Sequence, residues 1–204
     1  MIVCSLLLAC LLAPQGAAPE ARPAASFRHG VATVDAESLA RKLEAIERRA
    51  QEGRPTSRET VVVTEKELNS YLNLTAPPKL PPGLADVEFR LERERLEARG
   101  LVDLDRLQAR GGPRGSWNPL ALLSGWVEVE LRGRLPNADG LATVEVEEVR
   151  LGGVSLPLTV LAQLVSAATR SQDKPQGFDI RSAFPLPYAL KRVRLEPGRA
   201  LLEF

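Results

Sequence analysis

What this chain can fold into is limited first by three stretches in which apolar and charged residues alternate. Val87, Phe89 and Leu91 alternate with Glu88, Arg90 and Glu92. After a tight reversal, Leu96, Ala98, Gly100, Val102 and Leu104 alternate with Glu97, Arg99, Leu101 and Asp103. Further on, Val127, Val129, Leu131, Gly133 and Leu135 alternate with Glu128, Glu130, Arg132 and Arg134. A period of two belongs to a strand, whose successive side chains point to opposite faces. The pattern therefore predicts long antiparallel strands, apolar on one face and densely charged with both signs on the other. Asn137-Ala138-Asp139-Gly140 reads as a turn, after which Val144 and Val146 resume the period. The Glu147-Glu148 pair then shifts the phase to Val149 and Leu151, as a β-bulge does. Val193-Arg194-Leu195 and Ala200-Leu201-Leu202 form one more hairpin about Pro197-Gly198.

Other segments follow the helical period. Asp35 is placed to cap a helix running to about Gln51, with Leu39, Leu43, Ile46 and Ala50 on one narrow stripe and Gly53 as its stop. Thr60-Val61-Val62-Val63 is a short β-branched strand. Thr64 and Glu67 make a capping box that opens a helix through Leu74, with Leu68, Tyr71 and Leu72 turned inward. Pro77 to Gly83 ends it in a stiff connection. A glycine-rich loop from Gly111 leads to Trp117, and Asn118 with Pro119 starts a short apolar helix ending before Trp126. Pro157 to Thr169 reads as a helix that is almost entirely apolar or small, with Leu158, Leu161, Leu164, Val165 and Ala168 on one face, lying deep against the sheet.

Both cysteines, Cys4 and Cys10, sit in an apolar run from Ile2 to Leu12, too short for a stable membrane span. That run, followed by Pro14 and the small residues Gly16, Ala17 and Ala18, predicts a secretory signal over residues 1–18. The alternative is lipidation at Cys10, because Leu7-Leu8-Ala9-Cys10 resembles a lipobox; a third is an uncleaved anchor. Residues 19–34 read as a flexible spacer, and 35–204 as a single α+β domain. The expected location is periplasmic or cell-envelope associated. With the leader gone, no cysteine remains for a disulfide, a zinc site or a thiol nucleophile, and the only histidine is His29 in the lead-in. No catalytic residue, metal site or cofactor is assigned. A net charge of +1 gives no field to draw nucleic acid, and aromatic residues at 4% argue against sugar platforms and base stacking. The many carboxylates alternate with arginines across one sheet face, where cross-strand ion pairing explains them better than a general acid and base.

The strands outrun their cover. Six or seven strands with an apolar face have only one broadly apolar helix, Pro157–Thr169, to bury it. This predicts a long, strongly curved antiparallel sheet wrapped around that helix, with the N-terminal helix packed outside and an apolar groove left open. A groove of that kind suits lipid acyl chains. The expected lining is Phe89, Leu91, Val102, Val129, Leu131, Leu161 and Leu164; Trp117 and Trp126 flank a small helix that either caps the groove from inside or, in the alternative, touches a membrane surface. Asn69, Ser70 and Tyr71 are candidates for a head group, though capping and packing account for them equally well. Phe178-Asp179-Ile180 and Phe184 to Tyr188 read as an apolar strand or turn closing one end of the groove.

The run from Val149 to Leu161 (Val-Arg-Leu-Gly-Gly-Val-Ser-Leu-Pro-Leu-Thr-Val-Leu), followed by Phe184-Pro-Leu-Pro-Tyr and the closing hairpin, resembles the end of a family of bacterial extracytoplasmic phospholipid-binding proteins of the lipomannan-elongation type. Thr64-Glu-Lys-Glu-Leu-Asn-Ser-Tyr-Leu is similar to the helix that opens those domains. The resemblance implies a fold like the tubular lipid-binding proteins, in which a curved sheet cradles a helix, and it brings no catalytic residues. An extracytoplasmic lipid binder or carrier is thus the leading expectation. The rival is a non-catalytic envelope interaction module with a self-covered core, using its charged face or an edge strand. An enzyme acting through carboxylates alone comes last.

Overall fold

The computed structural model of the chain describes residues 30–52, 59–76, 80, 83–109, 124–170 and 175–204. It is an α+β protein with antiparallel sheets. Helix α1 (Thr33–Gln51) is followed by strand β1 (Thr60–Thr64) and helix α2 (Glu65–Ser70), which widens into a π-helical turn over Tyr71–Thr75. Strands β2 (Leu84–Glu92) and β3 (Arg95–Asp103) come next, then the short helix α3 (Leu104–Ala109) and strand β4 (Trp126–Arg134). Two-residue strands β5 (Asn137–Ala138) and β6 (Leu141–Ala142) precede β7 (Glu145–Leu151), β8 (Val154–Ser155) and helix α4 (Leu158–Ala168). The chain closes with β9 (Phe184–Pro185), β10 (Arg192–Glu196) and β11 (Arg199–Glu203).

The alternating stretches are strands in the predicted phase. Val87, Phe89, Leu91, Leu96, Val149 and Leu151 are buried, while Arg90 and Glu92 are exposed. The strands nevertheless divide into three sheets, of order β1-β11-β10, β2-β3-β4-β7-β8 and β5-β6-β9. The phase shift at Glu147-Glu148 is a bulge: Arg132 faces Glu148, but Gly133 faces Val146. Gly133 is required there, since a Cβ would stand 2.5 Å from the Glu145 carbonyl oxygen. A second irregularity lies between Ala85 and Glu88, again beside a glycine of the neighbouring strand, Gly100. Asp139 and Gly140 both take positive φ, which makes the β5–β6 connection the tight hairpin turn that an Asp-Gly pair favours.

Helix α1 starts at Thr33, taking in two residues that the sequence reading left to the spacer. The Ala32 N–H donates to Ser70 Oγ (3.1 Å), which pins the first turn earlier and leaves Asp35 inside it rather than capping it. The buried stripe is Ala36, Leu39 and Ile46, and Ala50 is exposed. The capping box of α2 forms as predicted: Glu67 N–H donates to Thr64 Oγ1, and the Thr64 N–H donates to Glu67 Oε2. Glu67 also ties α1 down. It accepts from Ser38 Oγ and, with both oxygens, from Lys42 Nζ at 2.6 and 2.8 Å. Leu104 does not continue β3. Asp103 Oδ1 accepts from the Asp105 and Arg106 N–H groups and turns the chain into α3.

The interior is two clusters rather than one. The first joins Leu39, Leu68, Leu72, Phe89, Leu96 and Val193, from both N-terminal helices, the β2–β3 end of the large sheet and the C-terminal hairpin. The second joins Leu104, Val149, Leu151, Leu156, Leu161 and Leu164, from α3, β7, the link before α4 and α4 itself.

Candidate functional site

The large sheet presents its apolar face to both clusters, and the expected lining residues divide between them. Phe89 and Leu91 on β2 are deep in the first cluster, packed by protein. Leu161 and Leu164 are buried in the second, with Val102 and Val129 packed against them. Leu131 touches both clusters. Phe89 and Leu91 therefore do not share a surface with α4. The alternation read from sequence names the face a residue occupies but not what covers it.

On the central strand β4, the inward side chains Val127, Val129 and Leu131 are only half-buried, as are Ala98 and Val102 on β3 and Val146 on β7. Phe89 on β2 and Leu151 on β7 are more deeply buried, 1% and 2% exposed, whereas Val154 on the edge strand β8 stands in solvent. Of the half-buried side chains, Val102, Val127, Val129 and Val146 pack against the second cluster, Ala98 against the first and Leu131 against both. Val160, Ala162 and Val165 of α4 are likewise half-buried against the second cluster. The segment from Phe178 crosses between the clusters: Phe178 packs on both, meets Phe184 edge to face at 5.9 Å, and leads by way of Ile180 in the second cluster to Leu186 in the first.

The opposite face is a lattice of alternating charge. One row across the strands runs Arg90, Glu97, Arg132, Glu148, and the next runs Glu88, Arg99, Glu130, Arg150. Arg132 pairs with Glu97 at 2.9 Å and Glu148 at 3.7 Å, Arg134 with Glu147 at 2.7 Å, and Arg150 with Glu148 at 2.7 Å. A cleft lined by Glu130, Arg132, Glu148 and Arg150 has a volume of about 20 Å³, room for little more than one water. These carboxylates are held by arginines in a solvated lattice.

Asn69, Ser70 and Tyr71 serve the fold. The Asn69 side chain accepts from the Phe89 N–H (2.7 Å) and donates to the Phe89 carbonyl (2.8 Å), pairing with the open edge of β2 as a neighbouring strand would. Glu65 Oε2 accepts from the Leu91 N–H at 2.8 Å, and Asn73 Nδ2 donates to the Val87 carbonyl at 2.6 Å. Residues four apart on a helix rise about 6 Å, close to the roughly 6.7 Å between alternate strand residues, so Glu65, Asn69 and Asn73 meet Leu91, Phe89 and Val87 in turn. Sequence reading missed this seam, although the spacing of four was there to be seen. Ser70 is spent on Ala32, and Tyr71 is buried.

Trp126 opens β4 and, by strand alternation, shares the charged face with Glu128 and Glu130. Trp117, Cys10, His29 and the expected short helix after Asn118 lie outside the described residues. Among the described residues, no helix is long and apolar enough to cross a membrane. No family model matches this sequence, and comparison with curated proteins and with solved structures likewise found no match.

Proposed function

We propose that this chain is an extracytoplasmic lipid-binding or lipid-carrier module that holds acyl chains along the apolar trough of β3 and β4, beside α4. The observation that carries this reading is the half-burial of Val127, Val129 and Leu131 on the middle strand of a five-stranded sheet. Strand geometry gives the stretch from Val127 to Leu131 a length of about 14 Å, suited to an extended run of methylenes. Each methylene buried there is worth about 0.8 kcal/mol. Val102, Val129 and Leu131 are the direct contacts, with Leu161 and Leu164 forming the floor from α4. Phe89 and Leu91 support the sheet from the first core. The two bulges, each facing a glycine, are devices that bend a sheet, and a sheet bent around α4 is the architecture this reading requires. Resemblance to the phospholipid-binding family agrees with it in fold and ligand class. If the leader is retained by lipidation at Cys10, the module works from a fixed membrane tether.

The interaction-module reading draws on the dense packing of Phe89 and Leu91 by protein. Against it stand the self-neutralised charged face and the seam of side chains that occupies the β2 edge. Titration with a fluorescent fatty acid separates the two. Saturable uptake by the wild type, weakened about tenfold by Val129→Trp with an unchanged unfolding midpoint, supports the trough. Equal uptake by Val129→Trp, or none by the wild type, moves the function to the interaction module.

A further inference from the structure

Most apolar side chains that stand in solvent do so singly, Val34 on α1 and Leu141 on β6 among them, and need no explanation. The turn between β7 and α4 is different. Gly152 to Ser155 and Pro157 to Thr159 are all exposed, with Val154 58% and Leu158 51% accessible. Leu151 and Leu156, at 2% and 9%, root this projection in the second core, and the Leu156 N–H donates to the Val149 carbonyl at 2.9 Å. Gly152 and Gly153 both take positive φ and make the projection a tight, defined turn. Not one charged residue occurs between Arg150 and Arg170, in a chain where 26% of residues are charged.

We propose that this tip docks the protein on a lipid bilayer by inserting Val154 and Leu158, with α4 and the trough brought down beside the membrane. The occupant follows from size and charge. Two aliphatic side chains fall far short of the about 800 Å² per partner that a stable protein interface or dimer buries. They suffice for shallow insertion into a bilayer, where the absence of charge over the whole segment removes the main cost of entry. The docking stands on exposure and charge alone; it rests on the lipid-binding reading only for what passes between bilayer and trough.

Hydrogen exchange of the full chain with and without phosphatidylcholine vesicles tests it, because the readout is local and any hold of the Ile2–Leu12 run on the bilayer does not mimic it. Amides of residues 152–156, 158 and 159 should exchange roughly tenfold more slowly with vesicles, at low and at high salt alike, since the contact is apolar. The double variant Val154→Asp/Leu158→Asp should lose that protection and keep its thermal midpoint, whereas Leu141→Asp should retain it. Protection absent in the wild type, kept by the double variant or lost in Leu141→Asp overturns the docking site. Fatty-acid uptake measured on the same samples keeps the readings apart. Uptake without tip protection sinks only the docking, and tip protection without uptake sinks only the trough.

Discussion

Replacing Glu67 with glutamine should remove the clasp that holds α1 to the rest of the protein. Burial alone would raise the Glu67 carboxyl from its ordinary 4.5. The Lys42 ammonium, the Ser38 hydroxyl and the Thr64 N–H outweigh that and bring it down to about 2. At 1.36 kcal/mol for each factor of ten, the ionised carboxylate contributes about 3 kcal/mol to the folded state. Because the folded pKa lies below the unfolded one, this contribution is complete above about pH 4.5 and is lost as pH falls toward 2. Glutamine has the right shape and the wrong polarity. Every group facing Glu67 is a donor (Ser38 Oγ, Lys42 Nζ, the Thr64 N–H and Thr64 Oγ1), so the amide nitrogen would oppose one of them. Urea unfolding at pH 7 should show Glu67→Gln less stable by about 3 kcal/mol, with the difference shrinking as the measurement is repeated toward pH 2.5. Lys42→Met should keep the Ser38 and Thr64 bonds and move the acid transition upward. A Glu67→Gln protein within 1 kcal/mol of wild type at pH 7, or a loss independent of pH, would refute the reasoning.

Asn69→Ala should leave the N–H and carbonyl of buried Phe89 without partners and cost about 3 kcal/mol by chemical unfolding; Asn69→Asp, which keeps the acceptor and loses the donor, should fall between. Tyr188 and Ala189 both sit at positive φ (55 and 59) in a turn closed by the Leu190 N–H to the Pro187 carbonyl, a conformation that costs an L-residue about 1–2 kcal/mol. Since Ala189 is exposed, Ala189→Gly should stabilise by about 1 kcal/mol, read as a rise of roughly 2–4 °C in the thermal midpoint.

Strand alternation made the large sheet legible, down to the phase shift at Glu147-Glu148, because side-chain direction along a strand is a local property. The Thr64–Glu67 capping box and the turns at Asp139-Gly140 and Pro197-Gly198 were legible for the same reason. What covers each apolar face was not. Phe89 and Val129 carry the same alternation, yet one is sealed under the N-terminal helices and the other stays half open, a difference set by elements remote in sequence. Asn69 read as a head-group candidate or a packing residue because nothing local reveals the strand edge it fills. The left-handed pair Tyr188–Ala189 lacks the glycine that would have announced it, in a turn closed by the Leu190 N–H to the Pro187 carbonyl. The residues expected to line one groove therefore divide between two cores, and the α+β class stood.

Mass spectrometry of an organic extract of the protein, purified from its native host without detergent, tests the lipid-binding claim most directly. The trough predicts acyl lipid recovered close to one molecule per chain and depleted in Val129→Trp. An empty extract, together with no uptake of added fatty acid, would contradict it.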